Sequence, residues 1–218
     1  MLISNHLPGK LNWEADLLSR VIPDCWDWKL NPQIFKEINL KLGPLSLDLF
    51  ANRWNAQLKN FYSWKAQPTA LGTDALSQKW PKTGAYAFPP VILIPAVLNK
   101  IIQDKIEKIV VVTPAWTTQN WYAKILNMIT KHPTLIPKAK NLLKNSQEEN
   151  HPLLEQKSFH LVAWTLSGNP TNRWDSQKKP LDLCQMFIDN QLSNPMMPPG
   201  VGGLAGVTKM GLAKFLRL

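Results

Sequence analysis

The chain has 218 residues, 25 Lys and Arg against 15 Asp and Glu, a formal charge of +10 and a pI near 9.6. That length suits one domain with extensions, and the basic excess suits a polyanionic partner such as nucleic acid without requiring one. Only two cysteines occur, Cys25 and Cys184, which excludes a disulfide framework and a Cys-rich zinc site and fits a reducing compartment.

In chain order, the first pattern is "LNWEADLLSR", where Leu11, Ala15 and Leu18 share one side of a short helix that Asn12 can cap. Pro23 and Pro32 then make "VIPDCWDWKLNP" an extended connector. "NPQIFKEINLKLG" has an Asn-Pro start, a Gly stop and apolar Ile34, Phe35, Ile38 and Leu42, which predicts an amphipathic helix. "PLSLDLFA" alternates Leu45, Leu47 and Leu49 as a strand does, placing Asp48 and Asn52 at or near its end. "NFYSW" is a second short strand, "DALSQKW" a loop or single helical turn, and "AYAFPPV" a strand that stops at Pro89 and Pro90.

A helix is expected from Ala96, burying Val97, Ile101, Ile102 and Ile106. "KIVVVTPAW" reads as a central parallel strand covered on both faces, and "NWYAKILNMITKH" as another helix. The alternation over residues 33 to 132 predicts a three-layer α/β unit. Further on, "NLLKNSQEENHP" reads as a loop, "SFHLVAWTLSG" as a last strand, and the Pro/Gly-rich "SNPMMPPGVGGLAG" as a linker or tail. The apolar stretch "YAFPPVILIPAVL" carries three prolines and is too short to cross a bilayer. No signal peptide is recognisable, so a cytoplasmic or nuclear location without membrane contact is expected.

Two groups of motifs carry a resemblance. "HLPGKLNWEAD", followed by "LLSR", resembles the C-terminal end of the ribonuclease H domain attached to retroelement reverse transcriptases. The resemblance implies Asp16 as one of four carboxylates around two divalent metals and His6 as a mobile loop residue assisting product release. The other three carboxylates would precede Met1, and a lone Asp does not hold a metal pair, so magnesium is implied only for an intact parent.

From Asn31 to Tyr122, the segments "NPQIFKEINLKLGPLSLDLFANRWNAQL", "FYSW", "DALSQKW", "AYAFPPV" and "IVVVTPAWTTQNWY" resemble, in order, the phage-type DNA adenine-N6 methyltransferases. Such segments follow ribonuclease H in DIRS-like retrotransposon polyproteins, which also encode a tyrosine recombinase. The combined resemblance implies residues 1–22 as a ribonuclease H remnant, 23–135 as a methyltransferase-like domain and 136–218 as linker and extension. The implied fold is a three-layer Rossmann-like α/β sheet. Its partners would be DNA or RNA and the other domains of the parent polyprotein.

The family's motif has an Asn or Asp acceptor, two prolines and an aromatic residue. The acceptor and the first Pro carbonyl receive the amino hydrogens of adenine, and the aromatic ring stacks on the extruded base. Here the four positions are Phe88, Pro89, Pro90 and Val91, so the acceptor and the stacking platform are both replaced. Losing an acceptor aimed at the reacting amine costs on the order of 3 kcal/mol in the barrier, which predicts negligible methyl transfer. Asp48 and Asp74 match acidic positions that could contact S-adenosylmethionine, the one small cofactor implied; a strand-end cap and a helix N-cap are the alternative roles.

Trp116 and Trp121 read as packing residues rather than base-stacking ones. His132, His151 and His160 lack metal-ligand spacing, and no Arg-His-Arg-Tyr recombinase set is present. The sequence leaves three readings: a degenerate methyltransferase-like fragment associated with nucleic acid, an active DNA methyltransferase, and a structural spacer between neighbouring domains.

Overall fold

The structure is a computed structural model that describes residues 27–156 and 158–173, with three short strand segments at 206–208, 211–213 and 216–217. The expected helix of residues 11–20, with Asp16 and His6, lies outside the described residues, as does most of the Pro/Gly-rich tail.

The chain enters through β1 (Lys29–Leu30) and turns directly into α1 (Pro32–Leu42). The Asn31 side chain accepts the Gln33 N–H at 2.9 Å, and Pro32 occupies a first-turn position where no N–H is needed. The buried residues Ile34, Phe35, Ile38 and Leu42 are the four that the spacing predicts. The helix stops where the Gly43 N–H bonds to the Asn39 carbonyl; a Cβ on Gly43 would stand 2.2 Å from that oxygen. Asn31 Nδ2 also reaches the Asn141 carbonyl at 3.3 Å, so Asn31→Ala should cost about 1 kcal/mol in urea unfolding.

Eight strands form the main sheet. They are β2 (Leu47–Asp48), β3 (Asn60–Ser63), β4 (Gly72–Thr73), β5 (Ala85–Ala87), β6 (Ile109–Pro114), β7 (Thr134–Leu135), β9 (Leu161–Leu166) and β12 (Leu216–Arg217). Their spatial order is β12-β7-β9-β6-β5-β2-β3-β4. Strands β4, β3, β2, β5 and β6 run parallel, whereas β9 is antiparallel to both β6 and β7. From β2 the chain winds outward through β3 to β4, then returns to β5 on the other side of β2. The point where the winding reverses, between β2 and β5, is where doubly wound sheets open a ligand crevice.

Alternate residues of β5 and β6 feed two cores. Ala85, Ala87, Ile109 and Val111 pack with α2 (Ile94–Gln103) and α3 (Tyr122–Leu126), while Tyr86, Val110 and Val112 pack with α1. This is a three-layer α/β arrangement, consistent with a Rossmann-like methyltransferase fold.

Three differences from the sequence expectations have physical causes. Strand β6 is covered on both faces as predicted, but only its β5 side is a parallel pairing, because β9 returns beside it in the opposite direction. The helix expected from Ala96 begins at Ile94, after a 3-10 turn (Val91–Leu93), with Pro95 in its first turn. The helix expected over "NWYAKILNMITKH" ends at Leu126, because the next residues bond to β9 instead: Thr130 N–H to the Thr165 carbonyl, and Ser167 N–H back to that of Met128.

Residues 136–173 also contribute to the folded unit. β8 (Leu143–Lys144) pairs with β1, and β9 is central to the sheet, with Trp164 fully buried and its indole N–H donating to Thr113 Oγ1 at 2.8 Å. A separate hairpin pairs β10 (Gly206–Thr208) with β11 (Gly211–Ala213). Among the described residues no helix is long and apolar enough to cross a membrane.

Candidate functional site

The crevice at the reversal point is built from the carboxyl ends of β2 and β5. Asp48, the last residue of β2, pairs in register with Tyr86 of β5, so the two side chains rise from the same face of neighbouring strands. Trp28, Leu30, Phe50, Asn55, Gln57 and Phe88 complete the lining.

Asp48 is 2% exposed. Its Oδ2 accepts the Gln57 N–H at 3.1 Å, while Oδ1 has no hydrogen-bond partner among the described residues. Burial pushes its carboxyl up to about 7, and backbone hydrogen bonds from Gln57 and Phe50 offset only part of that effect. The Tyr86 hydroxyl is also buried without a partner, and burial, reinforced by the negative charge of Asp48, holds it well above the usual phenol range. Two orphaned oxygens on adjacent strands are unusual in a protein interior, where nearly all polar atoms are paired.

The segment after β2 closes over this pair. Asn52 Oδ1 accepts from the N–H groups of Trp54 (2.8 Å) and Asn55 (2.9 Å), and Asn55 Oδ1 accepts from that of Asn52 (2.6 Å). Gln57 Nε2 donates to the Leu30 carbonyl at 2.6 Å, and Lys29 Nζ donates to that of Trp54 at 3.0 Å, tying the segment to β1. The space left inside is about 10 Å³, room for one water-sized sphere. A shallower depression of about 460 Å³ lies at the opposite edge of the sheet, among Ser46, Asn60, Leu71 and Trp80.

The four motif residues follow β5 and separate. Phe88 is half-buried and lines the crevice beside Tyr86, and Pro89 is buried. Pro90 is exposed, and Val91 turns toward the α2 side, where it packs on the core. Asp74 sits just past β4 with φ of 53° and accepts the Leu76 N–H at 3.1 Å, so its carboxylate serves its own turn. It shares the carboxyl edge with Asp48 but is not among the crevice residues.

Trp121 is buried in the core, and Trp116 is half-buried against both apolar clusters. His151 packs against Trp28 with ring centroids 4.4 Å apart and stacks on Phe159 at 5.8 Å. Its Nδ1 accepts the Leu153 N–H, and burial lowers its pKa. Among the described residues no group of three His, Cys, Asp or Glu side chains is arranged to hold a metal.

Trp28, Asn55, Gln57 and Tyr86 escape the sequence reading because register and a loop closure bring them together. Only the strand-end position of Asp48 hinted at such a meeting point.

No curated protein gives a significant match to the chain. A family model does match, DNA N-6-adenine-methyltransferase (Dam), over residues 21–149. That span runs from ahead of β1 through β8 and includes Asp48, Asp74 and the Phe-Pro-Pro-Val segment. By this match, and with a sheet whose crevice falls at the ends of β2 and β5, the chain belongs to the DNA N-6-adenine-methyltransferase (Dam) family.

Proposed function

We propose that the chain is a DNA-associated, methyltransferase-like domain that has lost methyl transfer, carried as a segment of a DIRS-like retrotransposon polyprotein. The observation that carries the loss is Phe88. It stands at the end of β5, where the family motif places a hydrogen-bond acceptor, and it helps fill a crevice of about 10 Å³.

Dam-type enzymes use S-adenosylmethionine as methyl donor. Small-molecule pockets span roughly 300 Å³ or more, so the cofactor does not fit the crevice in this closed form, despite the open acceptor on Asp48. No transfer step is therefore assigned to these residues. What the domain retains is a stable sheet with a basic chain around it, and its reading as a nucleic-acid partner rests on the family's DNA substrate and the charge of +10.

The polyprotein origin rests on "HLPGKLNWEADLLSR", with Asp16 and His6 as the ribonuclease H remnant, and on its position ahead of the methyltransferase-like segment. The family match itself favours the alternative of an active enzyme.

Association with DNA is tested by measuring the affinity of the full chain for a DNA fragment across a salt series. The expected result is a linear fall of log K with log salt, each phosphate contact adding about 0.9 to the slope on duplex. Absent or salt-insensitive binding would instead favour a structural spacer.

A further inference from the structure

We propose that the rim of the sheet's carboxyl edge, beside the closed crevice, is a binding surface for single-stranded DNA, on which Trp64 stacks with a base and Arg53 and Lys65 meet the phosphates. The inference rests on the DNA-associated reading above and specifies where and how the strand is held.

Trp64 is 74% exposed, whereas Trp80, Trp121 and Trp164 are each at most 4% exposed. An indole left in water forgoes one of the largest burial gains a side chain can make, so its outward position needs a local cause. That cause is the end of β3. Ser63 Oγ donates to the Lys65 carbonyl at 2.6 Å, folding the chain back around Trp64, and the Ser63 carbonyl accepts the Asp74 N–H at 2.8 Å. The indole projects from a bend fixed on both sides.

Arg53 is held beside this bend, because its N–H donates to Gln67 Oε1 at 2.7 Å and so joins the segment after β2 to the segment after β3. Arg53 and Lys65 are both exposed. Among the described residues, the acids of this edge are already engaged by protein donors or buried. Asp27 Oδ2 accepts from Asn52 Nδ2, Asp74 accepts from its own turn, and Asp48 is buried. Two exposed cations, without an acidic partner among the described residues, beside an exposed indole fit a strand whose bases are unpaired, since stacking needs an open base face and phosphates need positive charge.

The register places the end of β3, which Trp64 follows, beside the end of β2, whose last residue lines the crevice. Phe61, Asp48 and Tyr86 form one row across β3, β2 and β5. Trp64 lies beyond Phe61 on the same edge that Phe88 occupies beyond Tyr86, two strand spacings or about 10 Å across. Past Phe88 in the chain, Ile92 is 85% exposed on the turn that leads into α2.

The test is fluorescence anisotropy with labelled oligo-dT, oligo-U and a duplex, using the full chain. Trp64→Ala should weaken oligo-dT binding about tenfold, and Trp64→Phe, which keeps a stacking face, should stay within about threefold of the parent. Arg53→Ala should reduce the salt slope by about 1. Leu40→Ala removes an equally exposed apolar side chain (83%) from α1 and should change nothing.

Oligo-dT binding that Trp64→Ala leaves intact would overturn the inference while preserving the DNA-associated reading. Failure of the parent chain to bind either oligonucleotide or the duplex would overturn both. Oligo-U bound an order of magnitude more tightly than oligo-dT would overturn the assignment to DNA.

Discussion

Replacing Asp48 with Asn is expected to stabilise the protein by on the order of 4 kcal/mol at pH 8 while changing little near pH 4. The folded carboxyl titrates at about 7, against 3.8 for an unperturbed Asp. Between those values the folded chain holds a proton that the unfolded chain has released, so raising the pH drains stability until the folded group also ionises. The loss is complete above about 7 and absent below the unfolded value.

Asn carries no titrating proton, keeps an oxygen for the Gln57 N–H, and brings an NH₂ toward the partnerless Tyr86 hydroxyl across the strand pair. Urea unfolding of parent and variant at both pH values checks this, because the difference between them cancels His151, whose lowered pKa adds stability above its own range. Parallel pH dependences in the two proteins would show that Asp48 is not held protonated.

Gly168→Ala is the second large effect, an expected loss of about 3 kcal/mol. Gly168 follows β9, where the chain passes against the last turn of α2. A Cβ there would stand 1.9 Å from the Ile101 carbonyl oxygen and 2.7 Å from its carbon, both backbone atoms that cannot swing aside. The contact is fixed from both sides, since Gly168 N–H and Ser167 Oγ both donate to the Ile106 carbonyl, at 2.7 and 3.1 Å, and Ile106 N–H returns to that of Ile101. Chemical denaturation measures the loss. Ser167→Ala removes only one bond and should cost about 1 kcal/mol, which separates a steric cause from a hydrogen-bonding one.

Helix α1 was legible because its cap, its Pro and its four apolar residues all lie within twelve consecutive positions. Strand β6 was legible because six consecutive residues are buried on both faces, but its neighbours were not, since the same apolar run suits a parallel or an antiparallel partner. Strand β9 crosses back into the sheet after a stretch whose polar residues read as a loop, so nothing local distinguished a last edge strand from a central one.

The site divides in the same way. Phe88, Pro89, Pro90 and Asp48 are legible from motif and strand end, whereas Tyr86, Gln57 and Trp28 depend on strand register and on a loop folding over β1. The exposure of Trp64 is not legible in the sequence, because an aromatic residue at a strand end has the same pattern as a core residue.

The proposed loss of methyl transfer, attributed to Phe88 and the closed crevice, is tested most directly by incubating the full chain with labelled S-adenosylmethionine and adenine-containing DNA, single- and double-stranded, and counting label on adenine N6. Incorporation no higher than in a reaction without protein is expected. Label on adenine N6 above that background would contradict the proposed loss.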